Sequence, residues 1–169
     1  MRRNVIALLC SLAVIYAACT AAPQEASPTT PEINMAQVMV FFQDEAKFAV
    51  GIEPYEVGVI REIHPDAFLP RLALQAYFVG PTQEEYDLGL RAVLSNCTGY
   101  SDFHIEDGVA HIYLSGSCTS GGSTYTLAGP IFLTLKQFEE IEYVKLYNAD
   151  GDTEDPDSRS DSIPFELEP

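Results

Sequence analysis

Asp107-Gly108 constrains this chain more than any other pair of residues. Both residue types tolerate positive φ, and a two-residue turn of that composition joins antiparallel strands. Its flanks alternate as strands should, Asp102-Phe103-His104-Ile105-Glu106 before it and Val109-Ala110-His111-Ile112-Tyr113-Leu114 after it. A two-residue turn pairs Glu106 with Val109, His104 with His111 and Phe103 with Ile112. With a side-chain period of two, Phe103, Ile105, Ala110 and Ile112 share one apolar face. Continued without interruption, the ladder sets Cys97 opposite Cys118 on that face, at a non-hydrogen-bonded position where side chains approach closely. Gly99 and Gly116 are the places where so long a ladder can break. Of the four cysteines, Cys10 lies in an N-terminal apolar run and Cys19 just beyond it, so Cys97 and Cys118 remain as an even pair. In an exported chain such a pair reads as a disulfide. Two buried free thiols are the other reading. No nearby His with an orienting partner supports a nucleophilic cysteine.

Around the hairpin, residues 37–42 and 57–63 read as strands, with Glu53-Pro54 in the turn between them. Pro70 opens a helix whose stripe is Leu72, Ala73, Ala76, Tyr77 and Val79, and Gly80-Pro81 stops it. Thr82-Gln83-Glu84-Glu85 is a capping box for a second helix, expected to reach Leu94 and to bury Tyr86, Leu90 and Val93. Leu127, Ile131, Leu135 and Phe138 mark a third helix that starts or kinks at Pro130. Residues 141–147 alternate as a last strand, with Ile141, Tyr143 and Lys145 on one face. The order β-β-α-α-β-β-α-β predicts a single α+β domain, a mixed or antiparallel sheet with about three helices packed on it. A chain of 169 residues that is 47% apolar suits one domain with its own core.

The two ends differ from this middle. Arg2 and Arg3, the apolar run from Val5 to Tyr16 and the small pair Ala17-Ala18 form a secretory signal segment, residues 1–18. That run is too short to span a bilayer as a mature helix. Cys19 follows as in a bacterial lipobox, with Tyr16 where Leu is usual. Lipidation of Cys19 is one reading; simple secretion after a nearby cut is the other. Residues 19–34, rich in Ala, Pro, Thr, Ser and Glu, then form a flexible tether. The globular domain is expected over 35–148. Residues 149–169 form an acidic tail that reads as solvated and mostly disordered, unless Phe165 and Leu167 add an edge strand. The formal charge of −16 repels phosphates, which excludes nucleic-acid binding through a basic face and disfavours adsorption to anionic lipid.

Three stretches together resemble the GerM-type (GerMN) domain of bacterial sporulation and germination proteins. They are Phe41-Phe42 with Asp44-Glu45 and Lys47-Phe48; Pro70-Arg71-Leu72-Ala73-Leu74-Gln75-Ala76 leading to Gly80-Pro81-Thr82-Gln83-Glu84-Glu85 and Gly89-Leu90; and Glu106-Asp107-Gly108-Val109-Ala110 with Tyr113-Leu114-Ser115, then Leu133-Thr134-Leu135-Lys136-Gln137-Phe138 before Val144. The resemblance covers residues 37–148. It implies an extracytoplasmic, often lipid-anchored, non-enzymatic module, and carries no catalytic residues. Cys97 and Cys118 look like additions to the pattern, and Thr124, Thr126 and Pro130 stand where a longer, Ala-rich helix is typical.

His104 and His111, with Asp102, Glu106 and Tyr113 on the same face, are candidate zinc ligands. The sequence shows no partner to orient the imidazoles, so a polar cross-strand face is the reading adopted and no metal or cofactor is expected. Asn148, Asp150, Asp152 and Glu154 alternate, but an EF-hand loop from Asn148 needs Gly and Glu where Thr153 and Arg159 stand. The Gly116–Gly122 loop lacks the Gly-Lys-Ser ending of a phosphate loop. No catalytic motif appears. The expected function is therefore a non-enzymatic, membrane-anchored envelope lipoprotein that binds an envelope protein or a cell-wall glycan or small ligand. A self-assembling structural module, hence a homo-oligomer, is the alternative, and a cell-wall hydrolase stands third.

Overall fold

The computed structural model describes residues 34–168; the signal segment 1–18, Cys19 and the tether up to residue 33 lie outside the described residues. The elements are β1 (Ala36–Asp44), α1 (Glu45–Val50), β2 (Glu56–Ile63), α2 (Leu69–Val79), α3 (Gln83–Asp87), β3 (Leu90–Arg91), β4 (Cys97–Glu106), β5 (Val109–Gly116), α4 (Ala128–Leu135) and β6 (Tyr143–Tyr147), with a 3-10 turn at Phe165–Leu167. The class is α+β, as expected. The strands divide into two three-stranded sheets, ordered β2-β1-β3 and β4-β5-β6. Pairing is antiparallel except for β6, which runs parallel to β5. Alternation along β1 buries Val40 and Phe42; they join Phe103, Ile112 and Leu114 of the hairpin, Leu74 and Tyr77 of α2, and Ile131 and Leu135 of α4 in one core. Full burial of each such side chain contributes about 1.5–3 kcal/mol.

The hairpin forms with the expected register from Glu106↔Val109 out to Asp102↔Tyr113. Two bulges then shift it. Ser101 and Thr98 are extra residues on β4, so Tyr100 pairs with Leu114, and Cys97 lies opposite Gly116 rather than Cys118. An even number of extra residues restores the side-chain parity, and Cys97 still faces the core at 4% exposure. Cys118, two residues past the end of β5, closes the disulfide with Cys97 across a Cα–Cα distance of 4.5 Å. Gly116 has φ +97°, and a Cβ there would lie 2.9 Å from the Thr98 backbone nitrogen, so the bulged end of the ladder accepts only glycine.

The two segments most specific to the resemblance serve the scaffold. Gly80 ends α2 with φ +92°, and Thr82 caps α3 in a reciprocal box with Glu85. The Glu85 carboxylate also accepts two hydrogen bonds from the Arg61 guanidinium on β2, at 2.7 and 2.6 Å. In Thr134-Leu135-Lys136-Gln137-Phe138, the Gln137 amide accepts from Met39 N–H at 2.8 Å and donates to Met39 C=O at 2.6 Å, as a neighbouring strand would. The Thr134 hydroxyl accepts from Phe41 N–H at 3.0 Å. Together they satisfy Met39 and Phe41 on the side of β1 away from β2, where β3 pairs only with Gln43 and Asp44.

Three expectations need correction. The second helix stops at Asp87: Gly89 turns with φ +94°, Leu90 pairs with Asp44 of β1, and Tyr86 is 49% exposed. Helix α1 has no buried residue, so it left no apolar stripe; it is set by Asp44, whose carboxylate accepts from Lys47 N–H, and by Gly51 in the left-handed region. The segment after Tyr147 is packed. Ser162 pairs with β6, Asp161 accepts from Val144 N–H and pairs with Lys136, and Leu167 is fully buried. Lys145 of β6 is 1% exposed and donates to the Asp155 and Pro156 carbonyls. A strand buried on both faces therefore contains a lysine, whose charge the tail's carbonyls solvate.

Candidate functional site

Beside α1 lies a cleft of about 710 Å³, lined by Phe48, Glu53, Pro54, Tyr55, Glu56, Thr124 and Tyr125. Three separate pieces of chain build it. Phe48 sits on α1, Tyr55 follows a cis Glu53-Pro54 bond at the entry to β2, and Tyr125 precedes α4. Their rings pack on one another: Phe48 meets Tyr55 edge-on at 5.3 Å and 83°, Tyr125 meets Tyr55 at 5.5 Å and 88°, and Phe48 lies tilted at 45° to Tyr125. Centroids this close leave no room for a ligand between the rings. They form a wall with outward faces rather than a cage. Gly129, in the first turn of α4, makes room for Glu56; a Cβ there would stand 3.1 Å from Glu56 Oε1.

The Tyr125 hydroxyl is buried and has no hydrogen-bond partner. Burial first, and the nearby Glu56 carboxylate second, push its pKa far above the usual tyrosine range, so the phenol keeps its proton. A buried hydroxyl without a partner is an exception in native proteins, and the Glu56 carboxylate is the acceptor nearest to acting on this one. The cleft thus offers aromatic faces, carboxylate acceptors and one unspent phenol. Its lining contains no His, Cys or Lys, and its charged groups are the Glu53 and Glu56 carboxylates. A second groove of about 490 Å³ between β2 and α2 is walled chiefly by Ile63, Leu72, Ala76 and Val79, and its Arg61 is already taken by Glu85.

Sequence reasoning did not find this cleft. The nine tyrosines are visible as a count. Phe48, Tyr55 and Tyr125 are brought together by long-range folding, and only the Asp44 and Gly51 caps hinted at α1. The residues singled out from sequence lie elsewhere. His104 and His111 face each other on the outer side of the hairpin, rings stacked at 4.9 Å, with Glu106 beside them. Cys97 and Cys118 close the far end of the same hairpin. Asn148 accepts from the Asp150 and Asp152 amides through its side-chain oxygen. In the Gly-rich loop, Gly121 and Gly122 donate to Thr119 and Ser120 hydroxyls, so those amides have internal partners. Among the described residues no helix is long and apolar enough to cross a membrane.

No curated protein matches the chain. A solved structure of the tandem GerMN domains of the sporulation protein GerM from Bacillus subtilis is similar in fold, with a TM-score of 0.50 and 18% sequence identity. The match covers 83% of this chain and 51% of that one, so this chain spans about half the length of that structure. The family model Germane, described as sporulation and spore germination, matches residues 39–155, from the middle of β1 into the packed tail. The chain belongs to the Germane (GerMN-type) family of sporulation and spore germination domains.

Proposed function

We propose that this chain is a non-enzymatic binding module of a bacterial cell envelope, held to the membrane by a lipid on Cys19, and that its aromatic cleft takes a cell-wall saccharide. The Tyr125 hydroxyl, buried beside Glu56 in a cluster with the Phe48 and Tyr55 rings, carries this reading. Sugars lay C–H faces on aromatic rings, while their hydroxyls donate to carboxylates and accept from a phenol. The net charge of −16 favours a neutral or amino-bearing ligand over an anionic wall polymer. Relatives are described under sporulation and germination, and the binding role does not depend on that setting.

Amide chemical shifts followed on titration with purified muropeptides test the cleft. Shifts confined to the segments around Phe48, Tyr55 and Tyr125 are expected, with at least tenfold weaker binding in Tyr125→Ala. No shift at millimolar ligand overturns it. The anchor has its own test: Cys19→Ala should move the protein from the membrane fraction to the soluble fraction, and unchanged fractionation removes the lipid. One observation favours the second reading, self-assembly. Met39 and Ile60, paired across β1 and β2, are 44% and 59% exposed on the outer face of that sheet. Light scattering that shows a strict monomer up to the solubility limit eliminates it.

A further inference from the structure

We propose that His104, His111 and Glu106 form a binding site for a divalent ion of the zinc class on the outer face of the β4–β5 hairpin. A ring nitrogen of each histidine and a carboxylate oxygen of Glu106 lie within 4.8 Å of one another. The placement follows from the ladder. His104 and His111 are direct cross-strand partners, and Glu106 is two residues further along β4 on the same face. His104 and Glu106 are exposed and His111 is half-buried, so an ion can reach all three from solvent.

What sequence could not show is how the imidazoles are held. The Nδ1 of His104 lies 3.0 Å from Asp102 Oδ2, and the Nδ1 of His111 lies 2.9 Å from the Tyr147 hydroxyl on β6. Each ring therefore has one nitrogen bound to oxygen and Nε2 left to ligate. This is the arrangement that orients metal-bound histidines, a carboxylate or hydroxyl behind each ring. Tyr113 and Tyr147 stack beside the pair, 4.6 Å apart, and stiffen that wall. Lys145, the cross-strand neighbour of His111 on β6, directs its ammonium to the tail carbonyls.

The donor set selects the ion. Two imidazoles with one carboxylate suit zinc and its first-row neighbours, whereas calcium and magnesium prefer all-oxygen shells. Donors on a tetrahedral zinc with bonds of ~2.1 Å sit roughly 3.4 Å apart, so small rotations of the exposed His104 and Glu106 side chains close the site. Three protein donors leave a fourth position open to water or to a donor from a bound partner.

Zinc chloride titrated into the untagged full chain, in competition with a chromophoric chelator, tests the site. One ion per chain with a micromolar or tighter Kd is expected. His104→Gln and His111→Gln should each weaken binding at least tenfold, and Asp102→Asn about tenfold at unchanged stoichiometry. Asp150→Asn with Asp152→Asn, which thins the acidic tail, should leave it unchanged. In the unmodified protein the ring signals of both histidines should shift together up to one equivalent. Ring signals that do not move overturn the site, as does a loss of affinity in the tail variant equal to that in the histidine variants.

Discussion

Thr134→Val separates a scaffold role from a ligand role for the Thr-Leu-x-Gln-Phe segment. Thr134 is fully buried, and its hydroxyl accepts the Phe41 N–H at 3.0 Å. Valine keeps the shape and removes the acceptor. The Phe41 amide points away from β2, so the loss leaves a part-buried donor unmet, at a cost of about 1–3 kcal/mol. For a domain of this size that lowers Tm by roughly 3–15 °C. Thr134→Ser is the matched control: it keeps the hydroxyl and removes one methyl, at about 1 kcal/mol. Urea unfolding measures both variants, and amide exchange at Phe41 tells them apart, because valine should accelerate exchange there and serine should not. Gln137→Ala removes the paired bonds to Met39 and should cost a further 1–2 kcal/mol or so, with the double variant departing from additivity because both residues clamp one strand. A valine variant within about 0.5 kcal/mol of the parent, with unchanged exchange at Phe41, would refute the clamp. Loss of saccharide binding in such a stable variant would instead give the segment a direct part in recognition.

The disulfide closes a loop of sequence separation 21, so replacing both cysteines by serine should cost about 3 kcal/mol, read as a lower urea midpoint; an unchanged midpoint removes the constraint. Gly116→Ala should destabilise by at least about 2 kcal/mol, since its Cβ meets the Thr98 backbone at a positive φ; circular dichroism melting checks this, and a variant as stable as the parent would place the bulge elsewhere. Glu85 has its carboxyl held below the ordinary 4.5, chiefly by the hydrogen bonds from Arg61. The folded state thus binds fewer protons than the unfolded one, and the Glu85 contribution is complete above about pH 4.5 and fades as pH falls through the lowered value. Glu85→Gln should flatten that acid-side slope, with a remainder from Asp102 and Glu142, whose carboxyls are lowered in the same direction by His104 and by Tyr143 with Arg159. An unchanged slope in stability against pH counts against the Arg61 pairing.

Local chemistry made the hairpin legible and non-local chemistry hid its far end. Asp107-Gly108 dictates pairing as far as Asp102↔Tyr113, because each step outward follows from the one before. Nothing in Thr98 or Ser101 marks either as the extra residue, although Gly99 and Gly116, both at positive φ, mark the stretch where the ladder breaks. The cysteine pair was still readable, since two bulges cancel in parity and leave Cys97 on the core side. The second helix was over-extended because Leu90 and Val93 continue a helical stripe, while the pairing of Leu90 with Asp44 is a tertiary event that overrides the period. The tail was misread for a similar reason. Its acids predict solvation, and what holds it is Ser162 on β6, Asp161 on Lys136 and a buried lysine that needs its carbonyls.

The same division explains why family membership was readable when the ligand was not. The residues that carry the resemblance are caps and clamps: Gly80, Thr82 and Glu85 fasten α2 and α3 to β2, and Thr134 with Gln137 completes the pairing of β1. Their spacing is set by local geometry, so it reads directly from the chain. The residues with unspent chemistry are the Tyr125 phenol beside Glu56 and the two imidazoles held by Asp102 and Tyr147. They sit on turns or on the outer face of a sheet, and they meet partners up to dozens of residues away. Substitutions in the first set should therefore be read as changes in stability. Substitutions at Tyr125 and His111 should be read as changes in affinity on a folded scaffold, and a His111→Gln variant that unfolds the domain would break that assignment.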